Sequence, residues 1–267
     1  MPVFAIGCLS PACQCCSRVG QFASRGSTQM RKSWAVATVV ALMVSGGPAT
    51  AQAGDDWDAQ MAKQCPDMVA WMHAKEAEVT ADRKAHPLGK PSEPELRAGL
   101  LKMGDADQKA RNAVIADGYK HQELAKTVLA VDARNLPRIK QIDTVQGFPT
   151  PVQVGNDGVQ AAFILVQHAD RDPAFQAHVL DELKSRPDQG GVGAQDYALL
   201  TDRVLLAQHK LQRYGTQFTA TDGKTQMQPR PMEDPANADK RRTAIGLPPL
   251  ADYACMLGVT YRVPAKS

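Results

Sequence analysis

The chain has 267 residues, 31 basic and 28 acidic, with six cysteines and only 5% aromatic residues. The formal charge of +3 is small, and no basic face or aromatic–basic interleaving marks a nucleic-acid surface. There is no apolar run of about 20 residues, so no segment reads as a membrane span.

Residues 1–29 hold four of the six cysteines (Cys8, Cys13, Cys15, Cys16) and no acid. They fit no targeting pattern and are expected to be a start-site misassignment, disordered, with translation beginning at Met30. Three thiols within four positions invite a metal reading, but no histidine or spaced second pair joins them. From Met30-Arg31-Lys32 the pattern changes. WAVATVVALMV (Trp34 to Val44) is an apolar run of 11, broken by Gly46, Gly47 and Pro48 and followed by Ala49-Thr50-Ala51. A basic start, a short apolar core and an A-x-A end describe a secretory signal peptide over residues 30–53. The expected location is therefore periplasmic or secreted. The mature chain, residues 54–267, keeps 27 of the 31 basic residues against all 28 acids, a formal charge of −1. Its length suits one domain with a sizeable core.

Only Cys65 and Cys255 remain after processing. Two cysteines in an exported chain predict one disulfide. The pattern between them is helical almost throughout. Cys65-Pro66 begins a helix to Arg83. Ser92-Glu93-Pro94-Glu95 reads as a capping box opening a helix through Ile115, with Gly118 as its stop. Gln122 to Val145 is helical, with a kink or break expected at Pro137. Pro151 to Asp157 reads as a turn, and Gly158 to His168 as an apolar helix. Asp172-Pro173 caps a helix to about Lys184. Pro187 to Gly193 is a loop, and Ala194 to Lys210 is helical. Thr216–Ala220 and Lys224–Gln228 flank Thr221-Asp222-Gly223 as a hairpin. Asp234-Pro235 and Pro249 begin the last two helices. The expected fold is mostly α: a single compact helical domain with one small β-hairpin.

No H-E-x-x-H, G-x-S-x-G, Walker loop or dinucleotide fingerprint occurs, so neither a metal nor a cofactor is expected. Candidate chemistry rests on polar residues at core positions. In QHADRDP, His168 ends the run Ala161 to Val166 on the same face as Ile164 and Leu165. Asp170 lies close enough to orient it. A histidine beside a carboxylate serves as a general base near neutral pH; a cation at a helix C-terminus serves the helix dipole instead. Asp202-Arg203 interrupts YALLTDRVLL, and neither charge is cheap to bury without a partner. In QRYGTQ, Gly215 permits a sharp turn while Tyr214 and Gln217 offer uncharged hydrogen-bonding groups. Asp107 and Arg111 share one helical turn, as do Asp132 and Asn135, and either pair supplies counter-charges.

Taken in order, DQ-x-x-R (Asp107 to Arg111), VDARN (Val131 to Asn135), G-F-P (Gly147 to Pro149), VQHADRDPAFQ (Val166 to Gln176), YALLTDRV (Tyr197 to Val204), QRYGTQ (Gln212 to Gln217) and RR-x-x-GL (Arg241 to Leu247) resemble a bacterial family known only as a domain of unknown function. The resemblance runs from about Glu95 to Tyr253. It implies a compact helical domain and brings no activity or catalytic residue. Pro137 and Phe148 depart from the family pattern, which has a non-proline helix and a G-W-P turn there.

Two functional readings follow. In the first, an exported domain binds or hydrolyses a small molecule. His168, Asp170 and Asp202 form the catalytic set, and Arg203, Tyr214, Gln217, Asp107, Arg111 and Asn135 the ligand-binding set. Arg203 and Gln217 would hold an anionic or amide group. In the second, a non-catalytic envelope module uses the same residues as a buried structural network. The partner is thus an unknown small molecule or an envelope component. In either case His168 should approach the Asp202-Arg203 pair in space, because in a single core polar groups from two helices satisfy one another.

Overall fold

The computed structural model describes residues 49–117, 120–186, 190–220 and 227–260. The expected start-site segment 1–29, the signal peptide up to residue 48, Gly118 and the Thr221-Asp222-Gly223 turn lie outside the described residues. Nine α-helices and one hairpin occur among those described. They are α1 (Ala49–Gln64), α2 (Pro66–Ala85), α3 (Pro94–Ala116), α4 (Gln122–Gln146), α5 (Pro151–Gln167), α6 (Pro173–Ser185), α7 (Ala194–Ala207), β1 (Phe218–Ala220), β2 (Met227–Pro229), α8 (Ala238–Ala244) and α9 (Leu250–Thr260). A 3-10 turn, Pro235–Asn237, leads into α8. None of these helices is long and apolar enough to cross a membrane.

The central core forms around α5. Its residues Ala161 to Val166 are all buried, which is why six apolar residues stand in a row with no polar face. A helix enclosed on every side needs neighbours that approach closely. Gly104 of α3 supplies one such approach: a Cβ there would lie 3.2 Å from that of Ala161. Leu100, Ile139, Phe148, Phe175, Val179, Leu183, Leu200 and Val204 complete the cluster from α3, α4, α6, α7 and the turn after α4.

A second cluster joins the two ends of the described chain. Cys65 and Cys255 are disulfide-bonded, with Cα atoms 5.9 Å apart, across 190 positions. Met61, Met68, Tyr253, Met256 and Leu257 pack around the bridge. Phe218 of β1 meets the Tyr253 ring edge-on at 5.8 Å.

Several local expectations change. The helix α1 precedes Cys65, in a stretch whose first residues read as the end of a signal peptide. The capping box at Ser92 does not form: Glu93 is the N-cap and makes no side-chain cap bond. The Ser92 and Glu93 amides donate instead to the carbonyls of Val152 and Gln153, at 3.0 and 2.9 Å. This tertiary pairing replaces the local one. The capping box lies at Thr150 and Gln153, so α5 begins at Pro151 and not at Gly158; Gly155, at φ 71°, makes a jog inside it. Of the kink or break expected at Pro137, the break does not occur: α4 runs through the proline without ending. Only one backbone bond is forfeited there, to the carbonyl of Ala133, while Val131, Asn135, Ile139 and Ile142 keep their inward face. In the hairpin, Phe218 pairs with Pro229 and Ala220 with Met227, a register that does not place Ala220 opposite Lys224 as a three-residue turn would.

Candidate functional site

His168 is the C-cap residue of α5, with its backbone amide bonded to the Ile164 carbonyl. Its ring turns into the protein rather than toward the helix end, and the residue is only 4% exposed. There Nδ1 lies 2.7 Å from Oδ2 of Asp107 and 2.9 Å from Nε of Arg111. One ring nitrogen cannot donate to the carboxylate and accept from the guanidinium at once. The shorter, charge-assisted contact decides: Nδ1–H donates to Asp107, which leaves the lone pair on Nε2. Arg111 Nε then donates to the same carboxylate, at 3.3–3.4 Å.

Arg111 is the hub. It sits four residues after Asp107 on α3, on the same face, and its Nη2 donates to Asp132 of α4 at 2.6 Å. Asp170, three residues past the end of α5, accepts from Nη1 of Arg203 on α7 at 2.8 Å. Gln176 of α6 donates to the Gln167 carbonyl at 2.9 Å and to Asp170 at 3.2 Å, tying α6 to the turn that carries His168. Three carboxylates, two guanidiniums and one imidazole thus converge from α3, α4, α7 and the end of α5. Side-chain exposure grades outward: 1–5% for Asp107, His168 and Arg111, then 10% for Arg203, 15% for Asp132 and 25% for Asp170.

The protonation states follow from this crowding. Burial pushes the His168 imidazole below its ordinary value; Asp107 opposes that and Arg111 reinforces it. The ring is therefore neutral at neutral pH. Burial alone would raise the Asp107 carboxyl, but His168 and Arg111 together bring it below the ordinary range. Asp132 shows the reverse balance. It touches a guanidinium, yet burial and the neighbouring charges of Asp107 and Asp170 raise it from 3.8 to about 6. One cation shared between two carboxylates cannot hold both fully ionised.

Asp202 does not join this cluster. Consecutive helical residues point about 100° apart, so Arg203 faces His168 while Asp202 faces the turn after α7. Asp202 is fully buried. Its Oδ1 accepts from the amides of Arg213 and Tyr214, at 2.6 and 2.9 Å. Its Oδ2 accepts from the amide and hydroxyl of Thr216, both at 2.8 Å. Gly215 turns the chain there at φ 69°. Gln212 closes the same turn, its Oε1 taking the Gln217 amide and its Nε2 donating to the Gln217 carbonyl, at 2.9 and 3.1 Å. Gln217 reaches Thr216 Oγ1. The Tyr214 carbonyl accepts from Nη1 of Arg242 at 2.7 Å, and the guanidinium lies over the Tyr253 ring. Tyr214 and Gln217, expected to bind ligand, are thus held in a closed turn network with Asp202.

Of the residues singled out from sequence, His168, Asp170, Asp107, Arg111 and Arg203 meet, together with Asp132. Asn135 lies one turn beyond Asp132 on α4, buried, with its Nδ2 making no hydrogen bond among the described residues. Gln176 and Arg242 escaped notice individually, although both stand inside motifs whose order is distinctive (VQHADRDPAFQ and RR-x-x-GL).

Comparison with known proteins places this geometry in a family. The profile of the family of unknown function DUF6624 matches residues 94–266, and the chain belongs to it. No curated protein and no solved structure matches it. The matched span includes both polar networks and leaves out α1 and α2.

Proposed function

We propose that this is an exported domain that binds and hydrolyses a small polar molecule at the His168 cluster. The observation that carries this is the His168–Asp107 contact at 2.7 Å. It fixes one tautomer and leaves Nε2 as the base of a neutral imidazole. A water attacking an ester or amide carbonyl would pass its proton to Nε2. Asp132, titrating near 6, is suited to return a proton to the leaving group. Both guanidiniums already have carboxylate partners, and with Asp132 ionised the cluster carries one net negative charge. That balance favours an uncharged ester or amide over an anionic ligand. Export is supported by the sequence pattern of residues 30–53 and by the disulfide, a bond that persists in oxidising compartments.

The rival is a closed scaffold within an envelope module, and the 4% exposure of His168 favours it. His168→Asn separates the two. Its amide nitrogen can replace Nδ1 as donor to Asp107, but it supplies no base. An active site predicts an unchanged melting temperature and a loss of about 100-fold or more in p-nitrophenyl acetate hydrolysis, with p-nitrophenyl phosphate untouched by either protein. Equal hydrolysis by wild type and variant overturns the enzymatic reading.

A further inference from the structure

A second group of polar side chains lies away from the His168 cluster, where the last turns of α4 meet α6. His178 and Glu182 stand four apart on α6 and so share one face. Asp143 of α4 faces them, with its Oδ2 3.1 Å from His178 Nε2. One ligand atom from each of the three residues can be chosen so that all lie within 4.8 Å of one another.

The Asp143 side chain is 7% exposed, and its Oδ1 is fully buried with no hydrogen bond among the described residues. Glu182 is held from behind: the Phe148 amide donates to Oε1 and Oε2, at 3.0 and 3.2 Å, and Arg186 pairs with Oε1. Its Oε2 keeps lone-pair capacity on the side of Asp143. Two carboxylates therefore face each other with one imidazole between them and the solvent. Burial and Glu182 both push the Asp143 carboxyl upward, and His178 opposes them.

We propose that Asp143, His178 and Glu182 form a binding site for a divalent transition-metal cation, with zinc as the preferred ion. An imidazole and two carboxylates suit zinc better than calcium or magnesium, which prefer all-oxygen shells. Bond lengths of about 2.0–2.2 Å on a tetrahedral ion place ligand atoms roughly 3.3 Å apart. The Asp143–His178 pair already has nearly that separation, and Glu182 needs only a side-chain adjustment. With three protein ligands, a fourth position remains for water. His178 is 63% exposed, which gives the ion an entry path. Arg186 beside Glu182 opposes a second cation and keeps the affinity moderate. The bound ion would brace α4 against α6 next to the Gly147-Phe148 turn.

The test is zinc titration of the chelator-treated, disulfide-intact protein by calorimetry and thermal melting, with cobalt as a spectroscopic stand-in. One equivalent should bind. With free zinc about 100 times above the dissociation constant, the melting temperature should rise by about 5 °C or more. His178→Ala changes an exposed residue and should fold normally, yet bind at least tenfold more weakly and lose the visible cobalt band. His121→Ala, at the exposed Asp117–His121 pair, should change neither. The absence of saturable uptake, or uptake unaffected by His178→Ala, overturns the proposal.

Discussion

Replacing Asp202 tests whether this carboxylate anchors a turn or belongs to the chemistry. Four donors converge on it within 2.6–2.9 Å: three backbone amides and the Thr216 hydroxyl. Burial pushes the carboxyl up and the donors pull it back. Three of the four partners have no lone pair to offer, so the turn is built for the ionised form. Asp202→Ala strands three amides in a fully buried place. Each stranded group costs about 1–3 kcal/mol, and breaking a buried charged network typically costs 3–5 kcal/mol, which is the expected total once water and backbone relax. Asp202→Asn keeps one oxygen for Arg213 and Tyr214. It turns its NH2 toward Thr216, where the hydroxyl can rotate to accept but the amide cannot. One stranded amide predicts about 1–3 kcal/mol. Urea unfolding of the oxidised protein, followed by circular dichroism, should rank wild type above Asn and Asn above Ala. The NMR signals of the His168 ring should be unchanged in the Asn variant. A loss below about 1 kcal/mol for Asp202→Ala would mean that the amides reach water, and would refute the anchoring role.

Three further outcomes follow from the same geometry. Cys255→Ser opens a loop closed across 190 positions, which the chain-entropy relation values at about 5 kcal/mol at most; a fall of 2–5 kcal/mol in unfolding free energy is expected under oxidising conditions and none in reductant. Asp132 has a folded-state pKa near 6, above its ordinary 3.8, so its protonation stabilises the fold below pH 4 and that contribution is lost as pH rises through 6. The full displacement corresponds to about 3 kcal/mol, and solvent at the partly open rim reduces it to roughly 1–2 kcal/mol; Asp132→Asn should therefore gain by that amount relative to wild type between pH 4 and pH 7.5 in denaturant titrations, and an equal difference at both pH values contradicts the sign. Pro137→Ala restores an amide to the interior of α4 and should stabilise by about 1 kcal/mol or more, as read from the urea midpoint.

The sequence carries most of the fold for identifiable reasons. Six apolar residues without a polar face, Ala161 to Val166, can only be a fully enclosed segment, and they form the middle of α5. Asp172-Pro173 signals its helix start because the carboxylate and the ring act locally, and the Asp172 side chain does accept the Phe175 amide at 3.0 Å. Local rules fail where distant chain competes. Ser92 and Glu93 have the right neighbours for a capping box but pair with residues 152 and 153, 60 positions away. Pro137 has the chemistry of a breaker, yet an inward stripe on both sides of it outweighs one missing bond. The site was half legible for a related reason. Periodicity shows that Asp202 and Arg203 both sit in apolar surroundings, but it does not show which faces which partner. The two adjacent residues divide between a turn and the His168 cluster.

The remaining question is why ions are buried here at all. A largely buried cluster of three carboxylates, two guanidiniums and a neutral imidazole is a poor stabiliser: each ion that leaves water does so at a cost of several kcal/mol, and well-packed apolar residues of the same volume often do as well or better. Such a group has a further use only if its charge state or its partners can change. Two features of the His168 cluster meet that condition. Asp132 titrates near neutrality because Arg111 is divided between it and Asp107. The exposure gradient runs from Asp107 to Asp170, so the Asp170–Arg203 pair lies nearer the solvent than the imidazole. The Asp202 turn has neither feature, since its carboxylate is fully buried and three of its four partners are backbone amides within one short turn. Two networks on consecutive residues of α7 thus differ in kind: Asp202 holds the backbone amides of the turn at Gly215, and Arg203 joins an ion cluster whose outer member, Asp170, is its most exposed.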